Sequence, residues 1–316
     1  MPDYAINNPG ELKQAIIRAL AFFDLFDHPL TAEELYRFLW QAPRISYNDF
    51  VEMCEIRNLR NYEKRFGFYF LPGREAIVET RRVRTVDNDA KLKIAGRAAK
   101  ILRWVPFARA VFLCNNVAFN TADSDSDIDV LIIAKQGRIW ITRLLATLLL
   151  SLFRLRRTKT KITNRICLSF YLSDRHLNLS DIAIGEPDIY LIYWLAQLTP
   201  LYDPDNLMAS LISANRWVEK FLSNVWDNRS AQIALKSVQS APTLRRMFEI
   251  AWQGVYGNLV ESQAKEIQLA KMRRNVGSAQ NAGDTRVVVN DEMLKFHEND
   301  RRGEYRERWG ERINDK

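Results

Sequence analysis

The stretch Ser126-Asp127-Ile128-Asp129-Val130-Leu131-Ile132-Ile133 constrains this chain more than any other. Its uninterrupted β-branched and aliphatic run reads as a central strand buried on both sides. Alternate residues of a strand share a face, so Asp127 and Asp129 point the same way at its entrance. Two like charges held side by side call for a cation. A hard ion such as Mg²⁺ takes oxygen ligands and is commonly held by one or two carboxylates together with substrate phosphates. The competing reading is a solvated turn in which Asp123, Asp125 and Asp127 cap the backbone. An upstream strand, Val111-Phe112-Leu113-Cys114, leading into Asn115-Asn116, favours the site reading, because context and spacing then agree.

Taken together, Val111 to Ile133 resembles the nucleotidyltransferase fold superfamily, which includes polymerase-beta-like enzymes, adenylyltransferases and minimal antitoxin-type nucleotidyltransferases. The resemblance implies transfer of a nucleoside monophosphate from a nucleoside triphosphate to an acceptor hydroxyl, with Mg²⁺ (or Mn²⁺) as cofactor. It makes Asp127 and Asp129 the metal-binding, catalytic Asp-x-Asp, and it places Asn115, Asn116 and Ser126 on the nucleotide. The two asparagines stand where the family usually has Gly-Ser. The family's third acid, on a later strand, has no counterpart in Ile166-Cys167-Leu168-Ser169-Phe170-Tyr171-Leu172; the inward polar position expected there is Ser169, with Asp174 just past the end. Two functions follow. One is Mg-dependent nucleotidyl transfer to a nucleic acid, protein or small-molecule acceptor; the other is a catalytically inactive relative acting as a nucleotide-, DNA- or protein-binding regulator.

The net charge of +8 and pI near 9.4 suit polyanionic partners. Residues 81–103 are rich in Arg and Lys, and 154–165 carry Arg154, Arg156, Arg157, Lys159, Lys161 and Arg165 with no acid. The second run either flanks the mouth of the site or is a solvated helix end that complements the dipole. Three separated cysteines, Cys54, Cys114 and Cys167, suit a reducing cytoplasm. Met1 to Gly10 lacks the apolar segment of a secretory signal, and Leu144 to Phe153 is too short for a bilayer, so it reads as a core helix and no membrane insertion is expected. No Gly-x-Gly-x-x-Gly, phosphate-loop, Cys/His zinc or catalytic-triad pattern is present.

In chain order, helical spacing is expected over Glu11–Phe26, over Ala32–Trp40 behind the capping box Thr31/Glu34, and over Tyr47 to about Asn61, followed by a strand at Phe66–Leu71. Three short helices and a strand hairpin resemble a winged helix-turn-helix domain. The expected class is mixed α/β: a winged-helix-like domain (1–80), a basic linker helix (81–105), a nucleotidyltransferase-type sheet with flanking helices (106–187) and a helical C-terminal region (188–316). In that last region Ile189–Leu198, Asn206–Val225 and Leu244–Arg274 read as helices, and Gly277–Asp284 as a loop. Trp194, Tyr202, Trp217 and Trp252 read as core more readily than as base-stacking residues. The cluster Lys295-Phe296-His297-Glu298-Asn299-Asp300-Arg301-Arg302 reads as a charged, solvated helix, the alternative being a segment folded over the sheet. His28 reads as a turn residue and His176 as a surface one.

Overall fold

The computed structural model describes residues 9–56, 61–226, 242–274 and 285–314. The apolar spacing of the first helix yields α1, Pro9–Asp24, with Leu12, Ile16, Ala19 and Leu20 buried. Thr31 caps α2, Ala32–Arg37, through the expected reciprocal pair: Glu34 N donates to Thr31 Oγ1 at 3.3 Å and Thr31 N to Glu34 Oε2 at 2.9 Å. Ser46 Oγ accepts from Asp49 N at 3.2 Å and opens α3, Tyr47–Ile56. Next comes an antiparallel hairpin of β1, Glu63–Arg65, and β2, Phe68–Phe70. Here the expected strand is cut short. Phe66 and Gly67 adopt φ of 51° and 81°, the left-handed pair that a two-residue hairpin turn requires.

A helix forms over the basic stretch, as expected. α4 runs from Ile77 to Leu102 and buries Arg81, Asn88, Lys91, Ala95, Ala98 and Leu102, so its charges are partly structural. The central elements follow within a few residues of expectation, β3 (Ala108–Leu113), β4 (Ile128–Ala134), α6 (Ile139–Leu152), β5 (Ile166–Ser173) and α7 (Ile189–Gln197), except that a short helix, α5 (Asn115–Ala118), forms after β3 where only a turn was expected. Beyond them lie β6 (Thr199–Tyr202), α8 (Leu207–Ala214), α9 (Thr243–Ala251), α10 (Gly254–Arg273), β7 (Val287–Val289), β8 (Met293–Phe296) and α11 (Arg302–Asn314).

One six-stranded sheet has the order β6-β3-β4-β5-β8-β7, with β4 and β5 parallel and every other neighbour antiparallel. The helical region expected after residue 188 does contain α7 to α11, but it also supplies β6, β7 and β8 to the sheet. Three- and four-residue strands are too short to show a period of their own. They form because strands at a sheet edge present unpaired backbone groups. The helix expected over Asn206–Val225 stops at Ala214, and that over Leu244–Arg274 breaks before Gly254, whose φ is 69°. Gly277–Asp284 lies outside the described residues.

The two faces of the sheet bury different layers. Ala110, Phe112, Leu131, Ile133, Phe170 and Leu172 join one core with α1, α2 and α7, in which Phe22 stacks on Tyr193 with ring centres 4.1 Å apart. Val111, Leu113, Val130, Ile132 and Tyr171 join the other, with α4 and α6. This packing crosses the boundaries expected at residues 80 and 187. Trp309 Nε1, on α11, donates to Arg18 O at 2.9 Å, and Arg312 pairs with buried Asp24 at 2.6 Å, so the first and last described helices meet. Among the described residues no helix is long and apolar enough to cross a membrane.

Candidate metal centre

The acidic pair sits where β4 begins. Asp129 shares a face with Leu131 and Ile133, as strand alternation demands, and Asp127 lies just before the strand. Both are half-buried. Parallel pairing of β4 with β5 sets Asp129 opposite Cys167, and one ligand atom from each of Asp127, Asp129 and Cys167 lies within 4.8 Å of the others. Among the described residues no other His, Cys, Asp or Glu group converges in this way.

The third position is thus a thiol, and Cys167 is the residue that sequence reasoning missed. Ser169 is buried beside Cys167, as the inward position expected for it requires, whereas Asp174 is corrected. From Asp129↔Cys167 to Leu131↔Phe170 the β4 strand advances two residues and β5 advances three, so a bulge turns the register just where Ser169 stands. Asp174 lies past the far end of β5, where its Oδ1 accepts from Gln136 N at 2.9 Å. The available signal was pairwise: a β4 carboxylate and a β5 thiol, each at the start of its strand.

Loss of surrounding water, and then the neighbouring charge of Asp127, push the Asp129 carboxyl up to about 6. Hydrogen bonds from Asn115 and the Cys167 thiol, and the more distant Arg157, pull the other way. Burial, followed by Asp129, pushes the Cys167 thiol far up, so it stays protonated at neutral pH. Arg157 Nη1 donates to Asp127 Oδ2 at 2.7 Å and lies 3.5 Å from Cys167 Sγ. One member of the 154–165 basic run therefore reaches the centre. Arg165 instead turns back onto the carbonyl of Arg154.

The remaining expected site residues divide. Asn115 takes left-handed backbone, φ 54°, at the start of α5, and its Oδ1 accepts from Trp194 Nε1 at 2.8 Å while its amide serves Asp129. Asn116 is exposed, and its carbonyl accepts from Thr121 N at 2.9 Å. Ser126 is corrected: its hydroxyl donates to Asp123 Oδ1 at 2.6 Å and accepts from Asp123 N at 3.1 Å, so it closes the turn and is not offered to a nucleotide. The solvated-turn reading thus holds for Asp123 and fails for Asp127, which is half-buried and accepts from Arg157. Buried Lys91 fixes this loop from α4, its Nζ donating to Ser124 O at 3.1 Å, Ser126 O at 2.9 Å and Asn164 Oδ1 at 2.7 Å.

Asn115 and Trp194 also line a cavity of about 170 Å³ beside the pair, whose far wall carries Lys295, His297 and Arg302. The solvated helix expected for this tail segment is corrected. Lys295 lies in β8 opposite Phe170, and the segment after it folds back over the sheet. Arg302 Nη1 donates to Asp188 Oδ2 at 2.8 Å, its Nε donates to Asp300 Oδ1 at 2.9 Å, and Lys295 Nζ lies 3.3 Å from Asp300 Oδ2. Of the four noted aromatics only Trp194 borders the centre. Tyr202 Oη meets Arg245 at 2.7 Å on the other face of the sheet.

Two converging carboxylates, Asp129 being the one of raised proton affinity, suit a divalent cation, whereas a protonated thiol gives a hard ion little. Asp127 and Asp129 could hold a divalent cation such as Mg²⁺ or Mn²⁺ through their carboxylate oxygens. No family model matches the chain, and comparison with curated proteins and with solved structures returns no match.

Proposed function

We propose that this chain is a nucleotidyltransferase-type protein that binds a nucleoside triphosphate with Mg²⁺ or Mn²⁺ and transfers a nucleoside monophosphate to an acceptor hydroxyl, in a reducing cytoplasm. The observation that carries this reading is the convergence of Asp127 and Asp129 on one face at the start of an internal strand. A bound divalent ion would supply charge neutralisation on the triphosphate. Asp127 and Asp129 hold and orient that ion. Asn115 ties Asp129 to Trp194 and so fixes the carboxylate beside the cavity. Arg157, hydrogen-bonded to Asp127, stands ready to exchange that partner for phosphate oxygens. Rate acceleration in such a site rests on positioning and electrostatics.

A second reading, binding without transfer, is favoured by one observation: the third position holds Cys167. A single pair of variants separates the two. The chain is incubated with Mn²⁺ and each α-labelled triphosphate, with RNA, peptide or no added acceptor. The transferase reading expects labelled product from the wild type and none from Asp129→Asn. The binding reading expects saturable triphosphate binding, no product from the wild type, and product first gained in Cys167→Asp, which supplies a third carboxylate. Failure of the wild type to bind any triphosphate in the presence of the metal would sink both.

A further inference from the structure

α6 is apolar on every side, a pattern that suits a helix covered all round, yet its last turns are not covered. Ile139, Ala146 and Leu150 pack on the sheet. Leu148 and Leu152 lie one turn apart on the opposite face, at 61% and 72% exposure, and Phe153 beside them is at 56%. Single exposed apolar residues are ordinary, whereas three neighbours at one helix end make a patch.

Cations flank this patch on a fixed backbone. α6 ends in a Schellman motif, with Leu155 N donating to Leu150 O at 2.8 Å, Arg154 N to Ser151 O at 3.0 Å, and Arg154 at φ 55°. Glycine suits that left-handed position best, yet an exposed arginine occupies it. Residues 157–164 are all exposed, and the turn within them is pinned: Thr158 N donates to Lys161 O at 3.0 Å and Lys161 N to Thr158 Oγ1 at 3.1 Å. Arg165 Nη1 ties the far end of this turn back to the Arg154 carbonyl, so helix end and turn form one surface. Among the described residues, only Arg157 of the six cations in 154–165 meets an acid.

Simpler accounts cover half of these features each. A helix dipole attracts cations within its last turn, which leaves Lys159 and Lys161 without a reason. A nucleic acid answers cations with its backbone phosphates and leaves the leucines in water. An anionic bilayer answers both, with headgroup charge lying over acyl chains.

We propose that the end of α6 and the turn after it dock on an anionic lipid surface, which the chain lies against without crossing. Leu148, Leu152 and Phe153 enter the boundary between headgroups and acyl chains, while Arg154, Lys159 and Lys161 meet the headgroup charge. Nothing in this proposal depends on the metal centre or on nucleotidyl transfer.

Vesicle flotation of the full chain in EDTA tests it, with vesicles of equal parts phosphatidylcholine and phosphatidylglycerol beside vesicles of phosphatidylcholine alone. Binding to the mixed vesicles is expected to be about tenfold tighter or more than to the neutral ones, and to weaken as salt is raised. The pair Lys159→Gln and Lys161→Gln is expected to weaken it about tenfold, and so, separately, is the pair Leu148→Ser and Leu152→Ser. All four positions are exposed, so neither pair disturbs the core. Arg44→Gln with Lys220→Gln removes equal charge from exposed positions on other elements and is expected to change binding less than about twofold. The proposal is overturned if the mixed vesicles do not float the protein, if neutral vesicles bind it as well, or if the Arg44/Lys220 pair weakens binding as much as the lysine pair. It is overturned too if the leucine pair binds mixed vesicles as the wild type does, the result expected of a surface built for nucleic acid.

Discussion

Two clusters of charge lie near the small cavity beside the sheet, one reaching it through Asn115 and the other lining it with Lys295, Asp300 and Arg302, and they are built on opposite principles. At the start of β4, Asp127 and Asp129 set like charges together, with one half-exposed arginine, Arg157, against them. In the other cluster, Asp188 and Asp300 are matched by Arg302 and Lys295, all with side chains at most 8% exposed. The first arrangement raises the proton affinity of its buried carboxyl. In the second, hydrogen bonds and charge from Arg302 outweigh the effect of burial and hold the Asp300 carboxyl down to about 2. A balanced cluster supports the fold, whereas an unbalanced one is relieved by a raised proton affinity or by a cation, the second being what the proposed function requires.

The strongest way to break the balanced cluster is Arg302→Met. It strands two buried carboxylates and is expected to lower stability by about 3–5 kcal/mol, read by guanidinium denaturation. The same deletion logic reverses at the other cluster. Asp129→Asn removes a half-buried like charge, so the protein is expected to gain about 1–2 kcal/mol at pH 7 while losing Mn²⁺ binding, measured by electron paramagnetic resonance. Loss of stability in Asp129→Asn would mean that the pair is already compensated.

A smaller effect is expected from pH. Because the folded Asp300 carboxyl lies below its unfolded value, its contribution is complete above about pH 4 and is lost as the pH falls toward 2. Its size is about 2 kcal/mol, and a stability profile of Asp300→Asn beside the wild type isolates it. Arg157→Gln sharpens the comparison most gently. Freeing Asp127 is expected to strengthen binding of the bare cation severalfold, about 1 kcal/mol, and to weaken triphosphate binding if the guanidinium exchanges onto phosphate. Weaker cation binding in Arg157→Gln would show that Arg157 positions Asp127 rather than competing for it.

Local chemistry was legible wherever a few adjacent residues carried the signal. Thr31 and Glu34 announced α2 and its cap, and the aliphatic run after Asp129 announced an internal strand. Lys91 was invisible as a structural residue, because a lysine in a basic run reads as solvated until Ser124, Ser126 and Asn164 are known to surround it. The tail from Lys295 to Arg302 misled for the same reason. Its charges look exposed in sequence, and only the neighbouring Asp188 shows that they are paired.

The sequence by itself determined that Asp127 and Asp129 share a face at the mouth of a buried strand, because alternation is a property of one strand's own backbone. Tertiary structure decided that Cys167 stands beside them, that β8 and the segment after it close the far wall, and that α4 anchors the acidic loop. Each of these depends on register between segments far apart in the chain. Register is set by packing and by a bulge that no single segment encodes.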